Sequence, residues 1–196
     1  MPVTGLLAGA RGYGMFGAPG FAAPSYDSLA TVTSGGSSNT LTFSSIPSGY
    51  ASLQIRGIVR ESLAGSTIAD VFLRLNSDTG SNYSYQNILG DGSNITTASA
   101  ASQTLVALSR TSPYNGNTAN SFSAAIIDID DYASTTRNKT IRAYHGVHVG
   151  ANGGFVVMTG GLWRSTNAIT SISLSLSAGS NFVSGSTFSL YGIRTA

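Results

Sequence analysis

Ile169-Thr-Ser-Ile-Ser-Leu-Ser-Leu176 decides the fold. Ile172, Leu174 and Leu176 fall on one face of an extended chain, and Ser171, Ser173 and Ser175 on the other. That period of two belongs to a strand, because successive side chains of extended backbone point to opposite sides. One apolar and one polar face mean a strand packed on one side and wetted on the other, as in an antiparallel sheet.

The same alternation recurs on both sides of this stretch. Leu41 and Phe43 mark a short strand that leaves through the turn Ile46-Pro-Ser-Gly49. Between Ser52 and Arg60, Leu53, Ile55, Gly57 and Val59 share one face, opposite Gln54, Arg56, Ile58 and Arg60. Val71, Leu73 and Leu75 alternate with Phe72, Arg74 and Asn76, and Leu105, Ala107 and Ser109 indicate a further strand. Phe122, Ala124, Ile126, Asp128 and Asp130 lie opposite Ala125, Ile127 and Ile129. Ile141, Ala143 and His145 mark the next strand, Phe155 to Trp163 a longer one with a bulge expected at Gly160-Gly161, and Phe188 to Ile193 the last. No apolar pattern of helical period competes. About nine strands separated by Gly, Ser, Asn and Asp turns predict an all-β chain. Its expected form is an antiparallel two-sheet sandwich, jelly-roll-like, over residues 27–196. Residues 76–103 and 110–120 read as long polar connections.

Residues 1–26 read differently. MPVTGLLAGARGYGMFGAPGFAAPSY is rich in Gly and Ala, yet carries Leu6, Leu7, Tyr13, Met15, Phe16 and Phe21. Glycine-rich backbone loses much entropy on ordering, so the segment cannot fold alone. Apolar side chains this dense call for a surface to cover them. The segment is expected to be an extended attachment arm that binds a partner through those six residues, with Arg11 available to a carboxylate.

Charged residues make up 9% of the 196-residue chain, against about 25% in ordinary soluble domains. There is one Lys (Lys139), one Glu (Glu61), and 51 Ser plus Thr. Lys and Glu are depleted in interface cores, so this composition suits a subunit covered by neighbours on several sides. Net charge is +2 and the nine arginines are scattered rather than striped, which argues against a nucleic-acid track. The absence of cysteine removes disulfides, thiolate nucleophiles and Cys-ligated zinc. No basic n-region precedes Leu6-Leu7-Ala8 as a signal peptide requires, and no run of eighteen apolar residues spans a membrane.

Several short motifs invite chemistry and fail on context. Gly12-Tyr-Gly-Met-Phe-Gly17 matches G-x-G-x-x-G, but no strand precedes it and Pro19 and Gly20 follow at once, so dinucleotide binding is not expected. Asp128, Asp130 and Asp131 lack a second acidic cluster and read as a strand end turning into a loop. Asn76-Ser-Asp-Thr-Gly-Ser-Asn82 offers oxygen ligands without the closing Glu of a calcium hand, and reads as a polar turn. His145 and His148, three apart on a strand, face opposite ways and make a poor metal pair. No Gly-x-Ser-x-Gly elbow is present. No catalytic residue, metal or cofactor is expected. The Asn-x-Ser/Thr triplets at Asn82, Asn94 and Asn138 are expected by chance in a chain so rich in Ser and Thr. Trp163, Tyr83, Tyr85, Tyr114, Tyr132 and Tyr144 could line a glycan-binding surface, with Tyr83, Tyr85 and Tyr114 in the long loops its foremost candidates, but all six read first as core or interface aromatics.

Several phrases together resemble a group of small structural proteins of tailed bacteriophages and cyanophages. They are Tyr26-Asp-Ser-Leu-Ala-Thr-Val32, Leu41-Thr-Phe-Ser-Ser-Ile-Pro-Ser-Gly-Tyr50, Leu53-Gln-Ile-Arg-Gly57 and Leu73-Arg-Leu-Asn-Ser-Asp-Thr-Gly-Ser-Asn-Tyr83. To these are added Ile126-Ile-Asp-Ile-Asp-Asp-Tyr132, Gly161-Leu-Trp163, Ile169-Thr-Ser-Ile172, Gly179-Ser-Asn-Phe182 and Phe188-Ser-Leu-Tyr-Gly-Ile193. The resemblance covers residues 26–194 and carries over no functional residue. It implies a non-enzymatic virion protein: a peripheral tail, neck or baseplate appendage or short fibre, or else a capsid decoration protein that cements the shell. Other virion proteins are the expected partners, a homotrimer the expected assembly, and a host-surface glycan a further candidate ligand. The arm lies outside the resemblance.

Overall fold

The computed structural model describes residues 25–63, 68–113, 119–148, 153–176 and 180–194. Every regular element among them is a strand. In chain order these are β1 (Tyr26–Thr33), β2 (Thr40–Phe43), β3 (Ser52–Val59), β4 (Ala69–Leu75), β5 (Tyr83–Gly90) and β6 (Ile95–Gln103). They continue with β7 (Val106–Ser112), β8 (Ser123–Asp130), β9 (Lys139–His148), β10 (Gly154–Trp163), β11 (Ile172–Ser175) and β12 (Thr187–Ile193). Eight strands form one sheet in the order β1-β12-β3-β8-β9-β10-β5-β6, and four form the other in the order β2-β11-β4-β7. All pairings are antiparallel. The chain passes repeatedly between the layers, and the two antiparallel sheets form the expected β-sandwich.

The core forms where the inward positions of both sheets meet. Leu53, Ile55, Ile127, Ile129 and Ile141 of the large sheet face Leu41, Phe43, Leu73, Leu75, Ile172 and Leu174 of the small one, all buried. These are the alternate residues of their strands, so period two becomes one face of each sheet. The opening stretch behaves as its pattern requires: Ile172 and Leu174 are buried and pair with Phe43 and Leu41 on one side, Leu75 and Leu73 on the other.

Two glycines mark places where a ring lies flat against a strand. A Cβ on Gly57 of β3 would stand 2.1 Å from Cδ1 of Phe188, and one on Gly192 of β12 would stand 2.5 Å from the Tyr50 ring. Hydrogen at these positions admits the rings. The bulge expected at Gly160-Gly161 is absent, because β10 pairs in unbroken register with β9 and β5. Gly161 instead accommodates Val106 of the facing sheet, whose methyl carbons would be 3.2 Å from a Cβ there. The bulges present lie between Ser28 and Ala30, Ala69 and Val71, and Tyr83 and Tyr85.

The segment 76–103, expected to be a connection, contains β5 and β6. β6 is an edge strand exposed or half-exposed along its whole length, so neither face carries an apolar rhythm. β7 also runs in the other phase: Val106 and Leu108 point to the core, with small Ala107 buried between them.

Candidate functional site

The outer face of the large sheet carries the feature that core formation does not explain. Outward positions of a half-buried sheet are normally polar. Here two neighbouring rows across the strands are apolar. Reading across the register, the first row runs Ile58, Ala124, Gly146, Val156, Gly90, Ile95. The second runs Arg56, Ile126, Tyr144, Met158, Ile88, Thr97. Val156 is 75% exposed and Ile95 79%, while Ile58, Ile88, Ile126, Tyr144 and Met158 lie between 42% and 49%. Part of this band forms a groove of about 570 Å³ lined by Ile88, Ile126, Tyr144, Val156 and Met158 among others.

The local sequence explains the band. Ser123-Ala-Ala-Ile-Ile-Asp-Ile-Asp130 places Ala125, Ile127 and Ile129 inside and leaves Ala124 and Ile126 outside, so both faces of β8 are apolar at that end. Phe155-Val-Val-Met158 does the same in β10, where Val157 is buried and Val156 and Met158 are exposed. The polar alternative starts one row further on. Gln54 Nε2 donates to Asp128 Oδ1 at 2.7 Å, Arg56 Nε donates to Gln54 Oε1 at 2.7 Å, and Arg142 pairs with Asp130 at 2.9 Å. The band is therefore uncharged except for Arg56 at its β3 end. That guanidinium stands 5.2 Å from the ring centroids of both Tyr26 and Tyr191.

Tyr26 and Asp27 fix where residues 1–24 join the sheet. Tyr26 pairs with Ile193 on the edge strand, and its ring meets Tyr191 edge-on at 6.5 Å. Asp27 Oδ2 accepts from Tyr50 Oη at 3.0 Å and from Arg194 Nε at 3.0 Å. The Arg194 hydrogen bond, aided by Tyr50, holds the Asp27 carboxyl below the usual range.

The residues singled out in the sequence are distributed as follows. Leu6, Leu7, Arg11, Tyr13, Met15, Phe16, Phe21 and Tyr114 lie outside the described residues. Tyr83 is not available to a glycan. It is fully buried, stacks on Trp163 at 6.2 Å and 19°, and its hydroxyl bonds the backbone of Leu75. Burial pushes its pKa up to about 12. Tyr85 lies on the inward side of β5, half-buried against the core. The structure does not join these two tyrosines into an exposed aromatic platform.

Asp128 and Asp130 share the outer face with the partners already given, and Asp131, with φ of 56°, pairs with Arg137 at 2.8 Å in the turn after β8. His145 points inward with Nε2 2.6 Å from the Ser109 carbonyl oxygen, and burial lowers its pKa; His148 is exposed on the opposite face. The Asn76–Asn82 loop is a turn centred on Asp78. One carboxylate oxygen accepts from Gly80 N at 2.8 Å; the other accepts from Asn82 Nδ2 at 2.9 Å and Trp163 Nε1 at 2.7 Å. Among the described residues no group of three or more His, Asp or Glu stands together as a metal site would need.

The band was partly legible in the sequence. Ile58, Ile126 and Tyr144 occupy the polar phase of their strands; each alone is ordinary, and it is their alignment into one contiguous patch that marks a second contact. Ile88 and Ile95 carried no such signal, because their strands were not recognised. The chain matches no protein-family model, no curated protein and no solved structure.

Proposed function

We propose that this chain is a non-enzymatic structural component of a tailed-phage virion. In this reading the β-sandwich is the subunit body of a peripheral tail, neck or baseplate appendage or short fibre. Residues 1–26 anchor it to neighbouring virion proteins. The observation that carries the assembly part is the apolar band on the outer face of the large sheet, charged only at its Arg56 end. Contiguous exposed apolar surface on a soluble domain marks a place where something docks. The low charge of the whole chain supports the same reading, since surfaces poor in Lys and Glu lose little on desolvation. The phage part rests on the phrases between residues 26 and 194 that resemble phage structural proteins.

Immunogold electron microscopy of intact virions, with antibody against the sandwich, tests the station. Label at the neck, tail or baseplate is expected; label spread over the capsid would replace this reading with a decoration role. Deleting residues 1–25 in the phage is expected to abolish incorporation, and unchanged incorporation would remove the arm from the proposal.

A further inference from the structure

We infer that the apolar band on the outer face of the large sheet is the docking site for residues 1–24 of a neighbouring copy of this chain. The inference rests on the reading of the N-terminal segment as an attachment arm, and it names the surface and partner that arm takes. The band presents Ile88, Ile95, Ile126, Tyr144, Val156 and Met158 with no charged side chain among them. The segment outside the described residues offers matching chemistry: Leu6, Leu7, Tyr13, Met15, Phe16 and Phe21, with Arg11 its one charged side chain. Joining the two removes apolar surface from water and requires almost no charge to be desolvated.

Length permits the contact. The band crosses β3, β8, β9, β10, β5 and β6, five strand spacings or about 24 Å. Twenty-four extended residues span about 80 Å. The segment can therefore cross the band and still bridge the gap between two bodies.

Direction selects the neighbour over the chain's own sheet. β1 runs from Tyr26, in the row of Ile193, Ser52 and Asp130, to Thr33, in the row of Thr187 and Ile58. The apolar rows lie at the Thr33 end. Residues 1–24 join at the Tyr26 end, beyond the polar row of Gln54, Asp128 and Arg142. Backbone that continued the line of β1 would lead away from its own band and toward another molecule. Each copy thus donates one segment and receives one, which assembles copies without further surface.

The absence of cysteine makes the test direct. Full-length chains carrying one arm substitution, Leu7→Cys, Tyr13→Cys, Phe16→Cys or Phe21→Cys, are mixed with a size-tagged full-length chain carrying Met158→Cys and oxidised. A mixed disulfide dimer from at least one arm position is expected. Full-length Val156→Asp, whose side chain faces solvent and leaves the core unchanged, is expected to shift the chain from oligomer to monomer in analytical ultracentrifugation with its circular dichroism unaltered. Disulfide formation only within a chain carrying both substitutions would overturn the inference in favour of the segment covering its own sheet. Links only between two Met158→Cys chains would overturn it in favour of band-on-band pairing. A wild-type chain that stays monomeric, or an oligomer indifferent to Val156→Asp, would also overturn it. If residues 1–25 are needed for incorporation into virions while the Val156→Asp chain is incorporated normally, the arm's partner is a different virion protein. The function proposed above would then stand without this inference.

Discussion

Replacing Gly57 by Ala should destabilise the sandwich by an amount set by one contact. A Cβ there would lie 2.1 Å from Cδ1 and 2.5 Å from Cε1 of Phe188, against an ordinary contact of 3.4–4 Å. The ring would have to retreat by more than an ångström. It has no room to do so, because it is 1% exposed and meets Phe182 edge-on at 5.9 Å, with Phe182 itself fully buried. Overpacking of this kind costs about 1–3 kcal/mol, and a contact with no escape belongs at the upper end. Alanine restricts the unfolded chain more than glycine and returns about 0.5–1 kcal/mol. The net loss is about 2 kcal/mol, or roughly 4–8 °C in Tm for a chain of this size. The single tryptophan, Trp163, is buried, so its fluorescence follows the melt. Adding Phe188→Leu to Gly57→Ala should cost less than the sum of the two single changes, because the shortened side chain makes room for the new methyl. A Gly57→Ala chain that melts at the wild-type temperature, or a strictly additive pair, would refute the steric account.

Three further outcomes follow from the polar groups. Asp78→Ala should cost about 1–3 kcal/mol, read by urea unfolding, because Trp163 Nε1 and Asn82 Nδ2 both lose their acceptor. The hydrogen bonds from Asn82 and then Trp163 hold the Asp78 carboxyl below its ordinary value. Its contribution is therefore present above about pH 4 and lost as pH falls through the depressed folded value, and the Ala chain should lack that acid-dependent component. Glu61 has the opposite sign: burial raises its pKa despite the Ser180 hydroxyl bonded at 2.6 Å, so the folded state prefers it protonated. Stability is lost as pH rises from the ordinary glutamate value to the raised one, and Glu61→Gln should raise Tm at pH 7 with the gain vanishing in acid. Lys139→Met should cost about 2–3 kcal/mol in the same urea assay, because the buried ammonium donates at 2.7 Å to the carbonyls of both Ser134 and Arg137.

Strands that cover the core were legible because one of their faces is dry. β3, β4, β8, β9, β11 and β12 each place alternate Leu, Ile, Val or Phe against the facing sheet, and the period survives in the letters. β6 did not announce itself because an eight-stranded layer overhangs a four-stranded one, leaving Thr, Ser and Ala wet on both sides. β5 was obscured differently, since a bulge between Tyr83 and Tyr85 sits beside a turn rich in Asn and Ser. Tyr83 is a candidate for a glycan surface in the sequence because it stands at the end of a polar loop, although core or interface is its first reading. The structure instead buries the ring on Trp163 and satisfies the hydroxyl with the Leu75 backbone. Lys139 ran against type in the same way: the carbonyls of Ser134 and Arg137 in the turn just before it, joined by that of Ser165 from just past the end of β10, satisfy its buried ammonium. The apolar band lay between these cases, visible at Ile126 and Ile58 but assembled only when the register aligned six strands.

The pairing of Tyr26 with Ile193, closed by the Arg194–Asp27 ion pair and by the amide of Arg194 bonded to the Ser25 carbonyl at 3.1 Å, sets the two ends of the sandwich side by side on one edge. A short covalent joint between positions 25 and 194 would close the sandwich into a ring. New ends could then be opened at the Asp91–Asn94 hairpin on the opposite edge, where the Asp91 carboxylate accepts from the amides of Ser93 and Asn94 and the Asp91 amide donates to the Asn94 carbonyl. The body would keep its layers while its chain ends moved across the full width of the large sheet. Any cargo fused after residue 194 of the natural order, by contrast, begins beside Ser25 and Tyr26, on the same edge where the chain enters the sandwich.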